Sequence, residues 1–140
     1  MNTTDYVSYP IALALKKAGF DEPCDHYYTP EIYSEKYIEY PMLLWEKTAI
    51  NSNDIIYEGE RFSAPTLWQA QKWLREKERL IVLVDYILIT KDAANRWYFS
   101  VSNTYGLCNT NKDYERYKSY ESALSAGIEA ALELIKKETS

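Results

Sequence analysis

From Ser119 onward the chain carries one apolar stripe at helical spacing: Tyr120, Ala123, Leu124, Gly127, Ile128, Ala131, Leu134 and Ile135. Glu121, Ser122, Ser125, Glu129, Glu133 and Lys136 occupy the opposite side. A helix built this way buries only one face, so the chain must supply an apolar layer to receive it. Ser119 is placed to cap its start. Gly127 lies in the middle of the stripe, where it costs about 1 kcal/mol against Ala unless close packing needs it. Its position predicts a close helix–sheet contact.

A hairpin offers that layer. Residues 80–90 and 96–102 are rich in β-branched and aromatic side chains, and the five-residue connection 91–95 is within the usual hairpin range. Trp97, Phe99 and Val101 alternate with Arg96, Tyr98 and Ser100, which predicts one dry face. The preceding strand is apolar on both sides, with Val82, Val84, Tyr86 and Leu88 against Ile81, Leu83, Ile87 and Ile89. Such a strand is expected to be central and covered twice. Residues 103–118 read as a polar loop.

Two more helices are expected. The first spans 9–18, with Ser8 as cap, Pro10 in the first turn, and Val7, Ile11, Ala14, Leu15 and Ala18 on one face. Gly19 suits the left-handed residue that stops it, and Phe20 can fold back on Leu15. The second begins at Pro65 and has a narrow stripe of Leu67, Ala70, Gln71 and Leu74, flanked by Trp68 and Trp73. Between these helices, 24–28 and 55–62 read as short strands and 51–54 as a turn. Residues 42–45 are apolar but too few for periodicity to separate strand from helix.

The reading is a two-layer α+β domain, about three helices packed on a mostly antiparallel sheet. It treats 1–140 as a single domain with a variable Tyr-rich insertion at about 29–57. The length of 140 residues is enough for one core without metal or disulfide staples. No basic–apolar leader opens the chain, and the apolar run at 80–89 is interrupted by Asp85 and far short of a membrane span. Two cysteines make no disulfide framework, so the cytoplasm is the expected compartment. The net charge is −5, with eleven acids and four bases in residues 1–60 against ten and twelve in 61–140. An acidic chain is repelled at long range by nucleic acid and anionic lipid, so neither is the expected partner.

Chemistry-bearing residues are sparse. Cys24 and His26, the only histidine, are two apart and would share a strand face, the arrangement a Cys–His nucleophile needs. The competing reading, a half-buried cysteine beside a surface histidine, carries more weight because no local signature accompanies the pair. Adding Cys108 and a carboxylate does not produce the closely spaced ligand pairs of structural zinc. Asp85 is read as solvent-facing or bonded to a backbone group. Glu58 with Glu60 and Glu35 with Glu39 lie on single elements, not across a cleft, as glycoside chemistry requires. Four scattered glycines provide no phosphate-binding loop. Lys72, Arg75, Lys77 and Arg79 complement the negative end of the second helix. No metal or cofactor is expected, and enzymatic activity is not the favoured reading.

Aromatic residues are the compositional outlier, with 14 tyrosines. Tyr33, Tyr37, Tyr40, Trp45 and Tyr57 form the candidate interaction surface, because tyrosine and tryptophan concentrate in interface cores. The expected partner is a protein or a second copy of the chain. The alternative is a small-molecule site in which the same aromatics line a cleft.

Three stretches carry a resemblance: Gly19-Phe20-Asp21-Glu22-Pro23-Cys24; Ala64-Pro65-Thr66-Leu67-Trp68-Gln69-Ala70-Gln71-Lys72-Trp73-Leu74-Arg75-Glu76; and Ser119-Tyr120-Glu121-Ser122-Ala123-Leu124 with Gly127 and Leu134-Ile135. In this order the chain resembles small uncharacterised proteins of Bacteroidales genomes, their phages and mobile elements. The resemblance spans most of the chain outside roughly 29–60. It implies a shared fold and no particular activity, since the matching residues are mainly caps, stops and core positions.

Overall fold

The computed structural model describes residues 5–29, 42–54, 61–88, 91, 94–103, 106–110 and 115–139. Among these residues the architecture is α+β, with three α-helices and two three-stranded antiparallel sheets. The chain divides into two compact units, Tyr6–Thr66 and Met1–Asp5 with Leu67–Ser140. Each has its own sheet, because the strands of the first sixty-odd residues pair among themselves.

In the Tyr6–Thr66 unit, helix α1 (Tyr9–Lys17) buries Ile11, Ala12 and Leu15. Ser8 does not cap it through its side chain; its carbonyl takes the Ala12 amide instead. The stop is as expected. Gly19 has φ +96°, Gly19 N bonds Lys16 O and Phe20 N bonds Leu15 O, which satisfies two terminal carbonyls. Strand β1 (Cys24–Thr29) lies between β2 (Met42–Ile50) and the short β3 (Phe62–Ser63). The ambiguous run at 42–45 is therefore strand, and a 3₁₀ turn at Ser52–Asp54 follows it. The strand expected at 55–62 is seen only at its end, since 55–60 lie outside the described residues.

That turn is anchored by Asn53. Its Oδ1 accepts the Ser63 amide at 2.8 Å, its Nδ2 donates to Phe20 O at 2.8 Å, and its own amide reaches Ser63 Oγ at 3.2 Å. Ser63 is fully buried, so one side chain satisfies backbone groups that water cannot reach.

In the other unit, helices α2 (Leu67–Lys77) and α3 (Tyr120–Thr139) pack on β4 (Ile81–Tyr86) and, for α3, on β5 (Trp97–Asn103). Pro65 precedes α2 by two residues; its carbonyl accepts the Val7 amide instead of opening the helix. Trp73 is buried with Leu67, Ala70 and Leu74, whereas Trp68 is exposed, so only one flanking tryptophan widens the buried face. Ser119 caps α3, its Oγ accepting the Ser122 amide at 3.1 Å. Ala123, Leu124, Gly127, Ile128 and Ala131 are buried along the stripe. A Cβ built on Gly127 would meet Val82 Cγ1 at 2.5 Å and Phe99 Cβ at 3.2 Å, the close helix–sheet approach its position predicts.

Two expectations change here. Residues 106–110 are a third strand, β6 (Gly106–Thr110), paired with β5 where a polar loop was expected. Strand pairing needs backbone geometry and a partner, so a polar sequence does not forbid it. Strand β4 is also not central. The sheet order is β4-β5-β6, which puts β4 at an edge with one covered face.

Candidate functional site

Cys24 sits at the start of β1, 2% exposed. Its thiol donates to Glu22 O at 3.5 Å. Burial, reinforced by the negative charges of Asp25 and Glu22, pushes the thiol up to about 12 against the lowering effect of the Ser63 hydroxyl. A nucleophilic cysteine needs the opposite environment. The ladder register shifts between Cys24, which faces Ile50, and His26, which faces Trp45, with the extra residues on β2. His26 Nδ1 lies 2.8 Å from Asp25 Oδ1, and its ring stacks on Tyr6 with centroids 4.0 Å apart. The two residues thus have different settings: one a protonated core thiol, the other a half-buried imidazole with its own carboxylate. Among the described residues no group of three or more His, Cys, Asp or Glu side chains is placed to hold a metal.

Asp85 is exposed, as read from the sequence. Its Oδ1 accepts the Tyr86 amide at 2.7 Å and its Oδ2 the Tyr98 hydroxyl at 3.3 Å. It marks the outer face of β4. On the inner face Val82 and Val84 pair with Val101 and Phe99 beneath the helices. On the outer face Ile81 and Leu83 pair with Ser102 and Ser100 and remain 37% and 54% exposed. Leu88, just beyond the strand, is 77% exposed. Apolar side chains of this size grouped on one edge strand are unusual for a solvated surface. The end of the hairpin is aromatic: Trp97 packs against Tyr86 at 4.7 Å and Tyr120 at 5.6 Å, and the Arg96 guanidinium donates to the Tyr86 hydroxyl at 3.4 Å.

An open groove of about 630 Å³ runs along the first turns of α3, lined by Tyr117, Ser119, Glu121, Ser122, Ser125, Ala126 and Glu129. Its lining has one aromatic, Tyr117, with serines and two glutamates, and includes none of the candidate aromatics Tyr33, Tyr37, Tyr40, Trp45 and Tyr57. Tyr117 donates to Glu115 Oε2 at 2.9 Å, and burial with that contact pushes its hydroxyl up to about 12.

Tyr33, Tyr37, Tyr40 and Tyr57, with Glu35, Glu39, Glu58 and Glu60, lie outside the described residues. Trp45 is on β2, opposite His26, and only its backbone position is described. Lys72, Arg75, Lys77 and Arg79 are all exposed, with Arg75 and Lys77 in the last turn of α2. The surface that sequence reasoning placed least accurately is the outer face of β4. Its signal was the strand's second apolar side, which was assigned to the interior. No helix among the described residues is long and apolar enough to cross a membrane. No protein-family model matches the chain, and no curated protein or solved structure matches it.

Proposed function

We propose that this chain is a protein-interaction module that works without covalent chemistry of its own. The carrying observation is the outer face of β4, where Ile81 and Leu83 are exposed while Val82 of the same strand is buried on the inner face. Burying such side chains on association is favourable at about 25 cal/mol per Å² of apolar area. The high setting of the Cys24 thiol supports the non-enzymatic reading. The Tyr-rich segment carrying Tyr33, Tyr37, Tyr40, Trp45 and Tyr57 is proposed as a second part of the contact surface, on composition. The resemblance to small proteins of Bacteroidales genomes, phages and mobile elements fits a cytoplasmic role in modulating a host or phage protein.

The test is quantitative capture from a bacterial lysate with three baits: the wild type, Ile81→Ser/Leu83→Ser, and Tyr33→Ser/Tyr37→Ser/Tyr40→Ser/Trp45→Ser. A partner held by the wild type and lost by either variant, with circular dichroism unchanged, is the expected result. Equal retention by all three, or none by the wild type, overturns the reading.

A further inference from the structure

Helix α2 turns Leu67, Ala70, Trp73 and Leu74 into the core. Gln71 fixes its rotation further, because its Nε2 donates to Val82 O at 2.8 Å. At about 100° per residue the opposite face is then set: Trp68, Lys72 and Arg75 follow one another at i, i+4 and i+7 within an arc of about 60°. Trp68 is 39% exposed, and Lys72 and Arg75 are exposed. Lys77 ends the helix and Arg79 follows it, both exposed.

Among the described residues no ring stacks on Trp68, and no hydrogen bond or ion pair holds the side chains of Lys72, Arg75, Lys77 and Arg79. Two acids, Glu76 and Glu78, accompany these four bases. Complementing the negative end of the helix accounts for Arg75 and Lys77 in the last turn. It does not account for Lys72 or Trp68, which lie before that turn. The stripe therefore offers solvent one planar aromatic face and a row of unengaged cations.

An extended single strand of nucleic acid fits that combination. At about 1.5 Å rise per residue, Lys72 and Arg75 stand about 6 and 10.5 Å along the axis from Trp68, within reach of the phosphates on either side of a base stacked on the indole. Such stacking is tolerant of sequence, and lysine and arginine take the phosphates. A duplex would offer phosphates but keep its bases stacked on one another, away from Trp68. An acidic protein surface would meet the cations and leave the indole without a planar partner. The net charge of −5 opposes any polyanion at long range, but residues 1–60 carry eleven acids against four bases and supply that excess. Its field is screened beyond about 10 Å at 0.1 M salt, whereas the contacts on α2 are local.

We infer that the exposed face of α2 binds single-stranded nucleic acid, with Trp68 stacking on a base and Lys72 and Arg75 holding the adjacent phosphates. This goes beyond the interaction reading above and uses a different element. The experiment is fluorescence anisotropy with labelled oligothymidylate and oligouridylate of about 12 nucleotides, over a salt series, on the full chain. Binding of either strand is expected, and a preference between them tells DNA from RNA. Trp68→Ala is expected to weaken binding at least ~10-fold, whereas Trp68→Phe keeps a ring and recovers most of the loss. Each phosphate contact contributes about −0.7 to the slope of log affinity against log salt, so Lys72→Gln/Arg75→Gln is expected to flatten that slope by about 1.4. Circular dichroism checks that each variant is folded. Ile81→Ser/Leu83→Ser is expected to bind the strand as the wild type does, so the two readings fail separately. No binding of either strand at low salt, an affinity indifferent to Trp68→Ala, or equally tight binding of a matched duplex or of polyglutamate overturns the proposal.

Discussion

Replacing Gly127 by alanine separates two opposed terms. In an unconstrained helix interior the change stabilises by about 1 kcal/mol. Here the new methyl would sit 2.5 Å from Val82 Cγ1 and 3.2 Å from Phe99 Cβ. Val82 is β-branched and 2% exposed, so its side chain has little freedom to swing away. Overpacking of this kind costs about 1–3 kcal/mol. The net expectation for Gly127→Ala is a loss of about 1 kcal/mol, read as a lower urea midpoint at unchanged slope. The decisive comparison is with Val82→Ala. That change alone opens a cavity and costs about 2 kcal/mol, but it removes the clashing atom. In its background Gly127→Ala should become neutral or stabilising by up to about 1 kcal/mol, a coupling of about 1–2 kcal/mol between the two sites. If Gly127→Ala stabilises the wild type, or if the two changes simply add, the close approach of α3 to β4 is wrong.

Asn53→Ala should cost about 2–4 kcal/mol, because it strands the buried Ser63 amide and the Phe20 carbonyl together; urea unfolding measures it, and a loss under 0.5 kcal/mol would refute the bridging role. Stability should also fall as pH rises from 9 towards 12. Cys24 is raised from 9.0 to about 12, Tyr117 from 10.0 to about 12, and Tyr28 is raised by burial, so above pH 9 the folded chain holds protons that the unfolded chain has released. Urea midpoints across that range, in a Cys108→Ser background, check the sign. In the same background Cys24 should alkylate slowly near neutral pH, and fast labelling would contradict its setting.

What could be read from the sequence was what local chemistry decides. The α3 stripe, the Ser119 cap and the Gly19 stop each depend on residues within one or two turns. Strand β6 was missed because its place is set by register against β5, a non-local fact that a polar Gly106–Thr110 segment does not advertise. The outer side of β4 was misassigned for a related reason: alternation shows that two faces are apolar, but not whether the fold has a cover for each. Proline at position 65 suits a helix start in general, yet its carbonyl was needed by Val7. For the candidate site, Asp85 was placed correctly because an unpaired buried carboxylate is expensive. What the spacing of Cys24 and His26 could not show is the setting of the thiol, which is buried beside the charges of Asp25 and Glu22.

The Tyr6–Thr66 unit opens and closes at one point. Tyr6 and Thr66 face each other in an isolated antiparallel bridge, and the Val7 amide reaches the Pro65 carbonyl at 3.0 Å beside it. A segment whose two ends already meet behaves as a cassette. Recombination that exchanges residues 6–66 as a block replaces one complete core and leaves the α2, α3 and β4–β6 core with a single parent. A crossover inside 67–139 would instead divide that second core between parents, with Gly127 from one facing Val82 from the other.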